Sequence, residues 1–154
     1  MKGRRMTDFP LRIASHGGEV VIASERAEVM YKNFKFAAAR RVDKSIYLSG
    51  VIAGPERGEG HDVEAFKNQL RRAFNEIGAT LSAAGASFSQ VAMINTFHVW
   101  TSANFDGDRN AQLVAFIAVK DEFMPPPHPA WTAVGTTGLA TDSGVVEIQM
   151  ITHL

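Results

Sequence analysis

The residues best suited to chemistry lie near the C-terminal end of the chain. Glu147 is a carboxylic acid within an otherwise apolar run, Val-Val-Glu-Ile-Gln-Met-Ile. A carboxyl group among apolar neighbours is a candidate general acid or base. The alternative is that Glu147 and Gln149 share the solvated face of a strand, because successive side chains of a strand point to opposite faces. The sequence alone leaves both interpretations open.

A proline-rich segment before this run carries two further candidates. From Pro125 to Gly135 it reads Pro-Pro-Pro-His-Pro-Ala-Trp-Thr-Ala-Val-Gly, and the prolines predict a rigid, extended entry into a strand. Trp131 offers a flat apolar face and one N–H donor, which suits the wall of a ligand pocket; its alternative role is packing in the core or an interface. His128, held between prolines, is a candidate ligand contact or a surface residue.

Other kinds of site are excluded or lack their motifs. The absence of cysteine excludes disulfides, thiol nucleophiles and cysteine-ligated metals, and the five histidines form no helical ligand pair. The chain contains no Gly-x-Ser-x-Gly motif and no phosphate-binding loop, so we expect neither a metal nor a cofactor.

Charge and hydropathy predict a cytoplasmic protein. Sixteen basic and sixteen acidic residues cancel, which leaves no net field to attract nucleic acid or an anionic membrane. No run of about 18 apolar residues is present to span a membrane. The basic start, Met1–Arg5, is not followed by the apolar segment of a signal peptide.

Two helices are predicted among the elements that must position these residues. In the stretch from Asp62 to Ala84, apolar residues recur at spacings of three and four and form one stripe: Phe66, Leu70, Ala73, Phe74, Ile77 and Leu81. Asp62 is a predicted N-cap and Gly85 a predicted C-terminal cap. A second helix is expected from Asp106 or Asp108 to about Phe123.

Six strands complete the predicted order β-β-β-α-β-α-β-β. They are residues 19–23, 34–40, 45–52, 91–100, 131–137 and 145–152. This order predicts a single α+β domain over residues 1–154, with a mixed six-stranded sheet, two helices on one face and an N-terminal extension at 1–29. Apolar residues point to both faces of the predicted strands, which indicates an oligomer.

Three segments together resemble one known family. Tyr47-Leu-Ser-Gly50, the Pro125–Gly135 segment and the final strand, Val146–Ile151, resemble the YjgF/RidA (Rid, endoribonuclease L-PSP-like) family, over roughly residues 30–152. The resemblance implies a chorismate-mutase-like α+β layer and homotrimers with ligand clefts between subunits. It also implies that Ser49 lies near the ligand and that Glu147 orients the attacking water.

The chain departs from the deaminating members at several positions of the implied site, including Val51, where a glutamine often follows the Ser-Gly. Phe36 replaces a tyrosine thirteen residues before Ser49, and Trp131 replaces the arginine that holds a substrate carboxylate. A tryptophan cannot form the charge-assisted, bidentate contact that such an arginine provides. The Pro-Ala-Trp-Thr-Ala-Val-Gly motif looks like the branch of the family that includes YjgH.

The leading hypothesis is therefore a RidA-like homotrimer that binds a small metabolite in an intersubunit cleft. Trp131, Ser49, Phe36 and His128 would contact the ligand. Glu147 would direct water to an imine or enamine, without the protein being a general 2-imino acid deaminase. The alternatives are a non-catalytic metabolite-binding or regulatory module and an RNA-cleaving protein, and the net charge of zero argues against the last.

Overall fold

The structure is a computed structural model and describes residues 8–154. The chain begins with a hairpin, helix α1 and three short strands, and continues with two long helices that alternate with the remaining strands. The elements are β1 (Leu11–Ser15), β2 (Gly18–Ile22), α1 (Glu25–Phe34), β3 (Ala39–Val42), β4 (Ser45–Leu48), β5 (Val51–Ala53), α2 (Val63–Ala83), β6 (Val91–His98), α3 (Arg109–Phe123), β7 (Ala130–Gly135) and β8 (Val146–His153).

All eight of these strands belong to one sheet. Its order is β1-β2-β3-β4-β8-β6-β7, and β5 pairs with β8 on the same side as β4. The β6–β7 pair is parallel and the other pairs are antiparallel. The strands β5 and β6 flank β8 and are joined through α2, which is a split β-α-β arrangement. The α+β class is confirmed, with eight strands instead of six and three helices instead of two.

The additional helix, α1, lies between the predicted strands 19–23 and 34–40 and includes Phe34, so the second of these strands begins only at Ala39, as β3. The Ser24 hydroxyl accepts from the Ala27 backbone N–H at 3.2 Å, and Glu28 pairs with Lys32 one turn later. None of its side chains is buried. Ala27, Met30, Tyr31 and Phe34 do recur at helical spacing, but the stripe is short and lies in a mostly polar segment, and no helix was predicted from it.

The two long helices cover one face of the sheet, as predicted. Asp62 and Asp108 accept hydrogen bonds from the Ala65 and Ala111 backbone N–H groups, each at 2.8 Å, and Gly85 has a φ of +83°. Buried side chains of α2 and α3 pack on Ile94, Ile148 and Met150 of the sheet: Phe66, Leu70, Phe74, Ile77, Leu81, Phe116 and Val119. No helix in residues 8–154 is long and apolar enough to cross a membrane.

We call the sheet surface opposite α2 and α3 the open face. Along β8, buried Ile148 and Met150 alternate with the half-buried Glu147, Gln149 and Ile151, which therefore lie on the open face. Helix α1 contacts β2 and covers only that end of the open face, where Val20 and Ile22 are buried.

A buried hydrogen-bond chain joins β6, β7 and α3 beneath the sheet. Gln112 Nε2 donates to the Val99 carbonyl at 3.1 Å, so Gln112 Oε1 accepts from His98 Nδ1 at 2.9 Å. The other ring nitrogen of His98 is then an acceptor for the Thr96 hydroxyl at 2.8 Å, and Thr96 Oγ1 accepts from Trp131 Nε1 at 2.9 Å. A second proton on His98 would remove the hydrogen bond that its ring nitrogen accepts from the Thr96 hydroxyl, so this arrangement favours a neutral imidazole.

The surroundings of His98 favour the same protonation state. The ring is fully buried and stacks on Trp100, with the ring centroids 4.1 Å apart. Burial lowers the pKa of His98, and the hydrogen bond with Gln112 opposes that shift in part. The unfolded chain therefore binds a proton at this side chain more tightly than the folded chain does.

We expect acid to destabilise the fold through His98. As the pH falls below about 6.5 toward the lower folded-state pKa, the free energy of unfolding should fall by up to about 1.4 kcal/mol per pH unit more than in His98→Asn. Above pH about 6.5 the two pH profiles should run parallel. Urea unfolding at one protein concentration and a series of pH values measures both. Parallel profiles throughout the acid range would contradict this assignment.

Candidate functional site

A depression of about 400 Å³ lies on the open face, where β8, β6 and the connection between β4 and β5 meet the loop that follows β7. Its lining comprises one acid, one amide, one hydroxyl and several small or apolar residues: Glu147, Gln149, Thr136, Phe97, Leu139, Ala140, Gly50 and Gly138. Glu147, Gln149 and Phe97 reach it because they point away from the buried core on β8 and β6. The depression combines one carboxylate with apolar surface.

A β-bulge between β4 and β5 shapes one side of the depression. Tyr47 of β4 pairs with Ile151, and Val51 of β5 pairs with Ile148. Three residues, 48–50, therefore lie opposite two residues of β8, 149–150. The extra residue falls at Ser49-Gly50. A bulge kinks a strand and changes which way its side chains point, and such irregularities occur next to functional sites.

The Glu147 side chain lies directly over Gly50. A β-carbon added to Gly50 would be 2.1 Å from Glu147 Oε1 and 2.6 Å from Cδ and Cγ, so only glycine leaves room for the carboxylate there. Within residues 8–154, the Glu147 side chain forms neither a hydrogen bond nor an ion pair. The carboxylate is half-buried and faces the depression with its acceptor positions open.

Gln149 supplies the second polar group of the floor. Its Oε1 accepts from Asn95 Nδ2 at 3.1 Å across the β6–β8 pair, which leaves the Gln149 amide N–H groups as donors toward the depression. Glu147 and Gln149 lie on one face, as the period of two predicts, but that face is only partly solvated.

The loop after β7 forms the outer wall. The Thr136 backbone N–H donates to the His98 carbonyl at 2.8 Å, and the Thr136 hydroxyl donates to the Gly138 carbonyl at 3.2 Å. These bonds fix the start of the loop against β6 and direct Leu139 toward the depression. Thr136 therefore ties the loop of the site to the backbone of His98, whose side chain belongs to the buried hydrogen-bond chain.

Neither Ser49 nor Phe36 lines the depression, although Ser49 precedes the lining residue Gly50. The Ser49 hydroxyl donates to the Ala37 carbonyl at 2.6 Å, and the Ser49 N–H donates to the Ala38 carbonyl at 3.0 Å. Phe36 belongs to the same segment and is 38% exposed. Ser49 therefore holds the 36–38 segment against the bulge, and its ligand contact stays a prediction.

The structure does not bring Trp131 or His128 to the depression of the same chain. Trp131 lies on the helix-facing side of β7, where its ring stacks on Phe116 at a centroid distance of 5.3 Å and its N–H is taken by Thr96. This geometry fits the packing alternative for Trp131. His128 is exposed in the proline segment and has no hydrogen-bond partner among the described residues.

Sequence reasoning did not select Gly50, Phe97 or Gln149 as site residues. Gln149 was identifiable, because the period of two places it beside Glu147. Gly50 and Phe97 carried no signal of their own, since their roles depend on the bulge and on the pairing of β6 with β8. Across residues 8–154 no group of three or more His, Asp or Glu side chains is placed to hold a metal ion.

We expect Gly50→Ala to move the Glu147 carboxylate without unfolding the protein. The new methyl group would overlap the present carboxylate, and the flexible glutamate would turn to another rotamer at a cost of about 1 kcal/mol. A crystal structure and urea unfolding of the variant measure both effects. Gly138→Ala is the matched control, because Gly138 also lines the depression and no atom lies within 4 Å of an added β-carbon. Glu147 found unmoved in Gly50→Ala would contradict the contact.

Comparison with known proteins finds relatives of one family. The chain is 35% identical to the RutC family protein YjgH of Escherichia coli over 112 residues, which are 72% of this chain and 78% of that protein. It is 29% identical to the 2-iminobutanoate/2-iminopropanoate deaminase of Dermatophagoides farinae over 116 residues, 75% of this chain and 83% of that protein.

Solved structures agree with these sequence relatives. A structure of protein YjgH has a TM-score of 0.63 at 33% identity and covers 81% of this chain and 88% of its own. RidA from an Antarctic Psychrobacter has a TM-score of 0.62 at 26% identity, with coverage of 77% and 88%. The sequence profile of the family described as endoribonuclease L-PSP matches residues 30–154. This chain therefore belongs to the YjgF/RidA family of endoribonuclease L-PSP-like proteins.

Proposed function

We propose that this protein binds a small metabolite in the depression on the open face and hydrolyses an imine or enamine there. The observation that carries the proposal is the Glu147 carboxylate, which lies over Gly50 without a hydrogen-bond or ion-pair partner among residues 8–154 and faces the depression. A deaminase among the relatives, which acts on 2-iminobutanoate and 2-iminopropanoate by name, supports this reaction class.

The reaction needs one base that can also return a proton. Glu147 would accept a proton from water while the water oxygen bonds to the imine carbon and the π electrons of the C=N bond move to nitrogen. The same carboxyl group would then protonate that nitrogen. The carbinolamine would expel ammonia and leave a carbonyl group, so that one imine and one water give one carbonyl compound and one ammonia.

The site would be completed by further copies of the chain. Apolar side chains stay half-exposed along the open face and its β7 edge, among them Ile13, Tyr47 and Val134. Large exposed apolar surface marks an interface. The family resemblance implies a trimer with clefts between subunits, and such an assembly would turn the open depression into a cleft.

We expect a homotrimer in solution. Sedimentation equilibrium at micromolar concentration should give three times the chain mass of 16.8 kDa, about 50 kDa. Tyr47→Asp, a charge on the open face, should shift the mass toward one chain, whereas Val114→Asp on the outer surface of α3 should not. A mass near 16.8 kDa for the unmodified protein would contradict the trimer.

Imines of ordinary α-amino acids should be poor substrates. Trp131 occupies the position of the carboxylate-binding arginine, and no lysine or arginine lines the depression of the described chain. A substrate carboxylate would lack a charge-assisted partner and would lie beside Glu147. Metabolites with no carboxylate, or with one far from the reacting carbon, fit this lining better.

Ammonia release tests the proposed reaction. One imine is generated from benzylamine by an amine oxidase and one from an amino acid by an amino acid oxidase. We expect the protein to accelerate ammonia release from the first well above the spontaneous rate and from the second little. Glu147→Gln should lower the acceleration by about a hundredfold or more, as expected for loss of a general base. If neither imine is hydrolysed faster than spontaneously, the catalytic proposal is wrong, and metabolite binding without this chemistry becomes the leading alternative.

A further inference from the structure

The charge of the depression limits what can bind in it. Among its lining residues Glu147 is the single charged side chain, and neither a lysine nor an arginine joins it within residues 8–154. Within one copy of residues 8–154, Glu147 has no cation to compensate it, because none of the ion pairs there includes Glu147. A half-buried, unpaired carboxylate favours a positively charged partner and disfavours an anion.

The rest of the lining suits an apolar body attached to that charge. Phe97, Leu139 and Ala140 provide apolar surface around the carboxylate. Apolar walls with a few polar anchors are typical of small-molecule sites. Gln149 adds amide N–H donors, which are neutral and can bind a hydroxyl or ether oxygen of the same ligand. They do not cancel the negative charge that a ligand carboxylate would meet at Glu147.

Resting on the proposed function of this depression, we propose that the site selects organic cations: protonated amines, and imines in their iminium form, that carry no carboxylate. The carbon of the protonated, iminium form is a stronger electrophile than the carbon of the neutral imine, so water adds to it more readily in the hydrolysis described above. A carboxylate that attracts the iminium form therefore also brings the reactive species to the water that Glu147 orients. The substrate class would be imines derived from amines and not from amino acids.

Three ligands of similar size and different charge test this selection: benzylammonium, benzyl alcohol and benzoate. Isothermal titration gives each affinity, and the NMR signal of the Gln149 side-chain amide reports whether the ligand is in the depression. We expect benzylammonium to bind about tenfold more tightly than benzoate, with benzyl alcohol between them. High salt should weaken benzylammonium binding and leave benzyl alcohol unchanged.

Two variants separate the charge of Glu147 from general surface charge. Glu147→Gln should remove the preference for benzylammonium. Glu64→Gln removes one exposed negative charge from α2, where the Glu64 side chain is 77% exposed, and should leave the preference intact. The salt dependence of the unmodified protein keeps the test decisive if Glu147→Gln does not fold.

The outcomes distinguish this inference from the proposed function. Benzoate that binds as tightly as benzylammonium, with the Gln149 signal shifted, would overturn cation selection and leave the depression as a ligand site. Tight benzylammonium binding without imine hydrolysis would keep cation selection and end the catalytic proposal. Failure of all three ligands to perturb Gln149 would overturn both.

Discussion

The contact between Glu147 and Gly50 is the constraint on which the candidate site depends. A carboxylate can lie flat against a neighbouring strand only where that strand has no side chain, and Gly50 meets this condition opposite β8. The bulge at Ser49-Gly50 places the glycine there. Leu48 and Val51 both face the core, which regular alternation would not allow over three residues, and the extra residue of the bulge makes up the difference. The hydrogen bonds of Ser49 to the 37–38 segment then hold the bulge in place.

The two faces of the central strands have opposite electrostatic characters. Beneath the sheet, the chain from Trp131 through Thr96 and His98 to Gln112 is closed, neutral and fully paired. On the open face, the Glu147 carboxyl group has no hydrogen-bond or ion-pair partner in the described part of the chain, and the Gln149 amide N–H groups donate to no other side chain there. Alternation along β6 and β8 keeps these groups apart although they are neighbours in sequence. The hydrogen-bonded network beneath the sheet fixes β6, and a fixed strand helps to hold the Glu147 carboxylate in position on the opposite face.

The sequence allowed the helices and central strands to be predicted because burial leaves a periodic pattern. Residues Phe66 to Leu81 repeat at helical spacing, and Asp62, Asp108 and Gly85 mark helix ends as observed. Helix α1 was missed because its apolar stripe is short and its residues are at most half-buried, so the signal is weak. The predicted strand 45–52 is divided by a bulge that has no sequence pattern of its own. Glu147 was identifiable from its apolar context. The side of the sheet that Trp131 faces was not, because it depends on the parallel register of β7 with β6.

Trp131 packs within the sheet–helix layer at the position where the family resemblance implies a cation. The family resemblance assigns this position to a carboxylate-binding arginine, whereas here the indole packs on Phe116 and its N–H completes the Thr96 and His98 hydrogen bonds. An arginine placed on this side of β7 would bring an unpaired charge into apolar surroundings and leave an indole-sized space unfilled. Exchange of one residue therefore cannot restore an arginine clamp. Thr96 on β6 and Phe116 on α3 contact the tryptophan, so this position supplies no cation to the depression. The depression therefore differs in charge from a site that binds a carboxylate through an arginine.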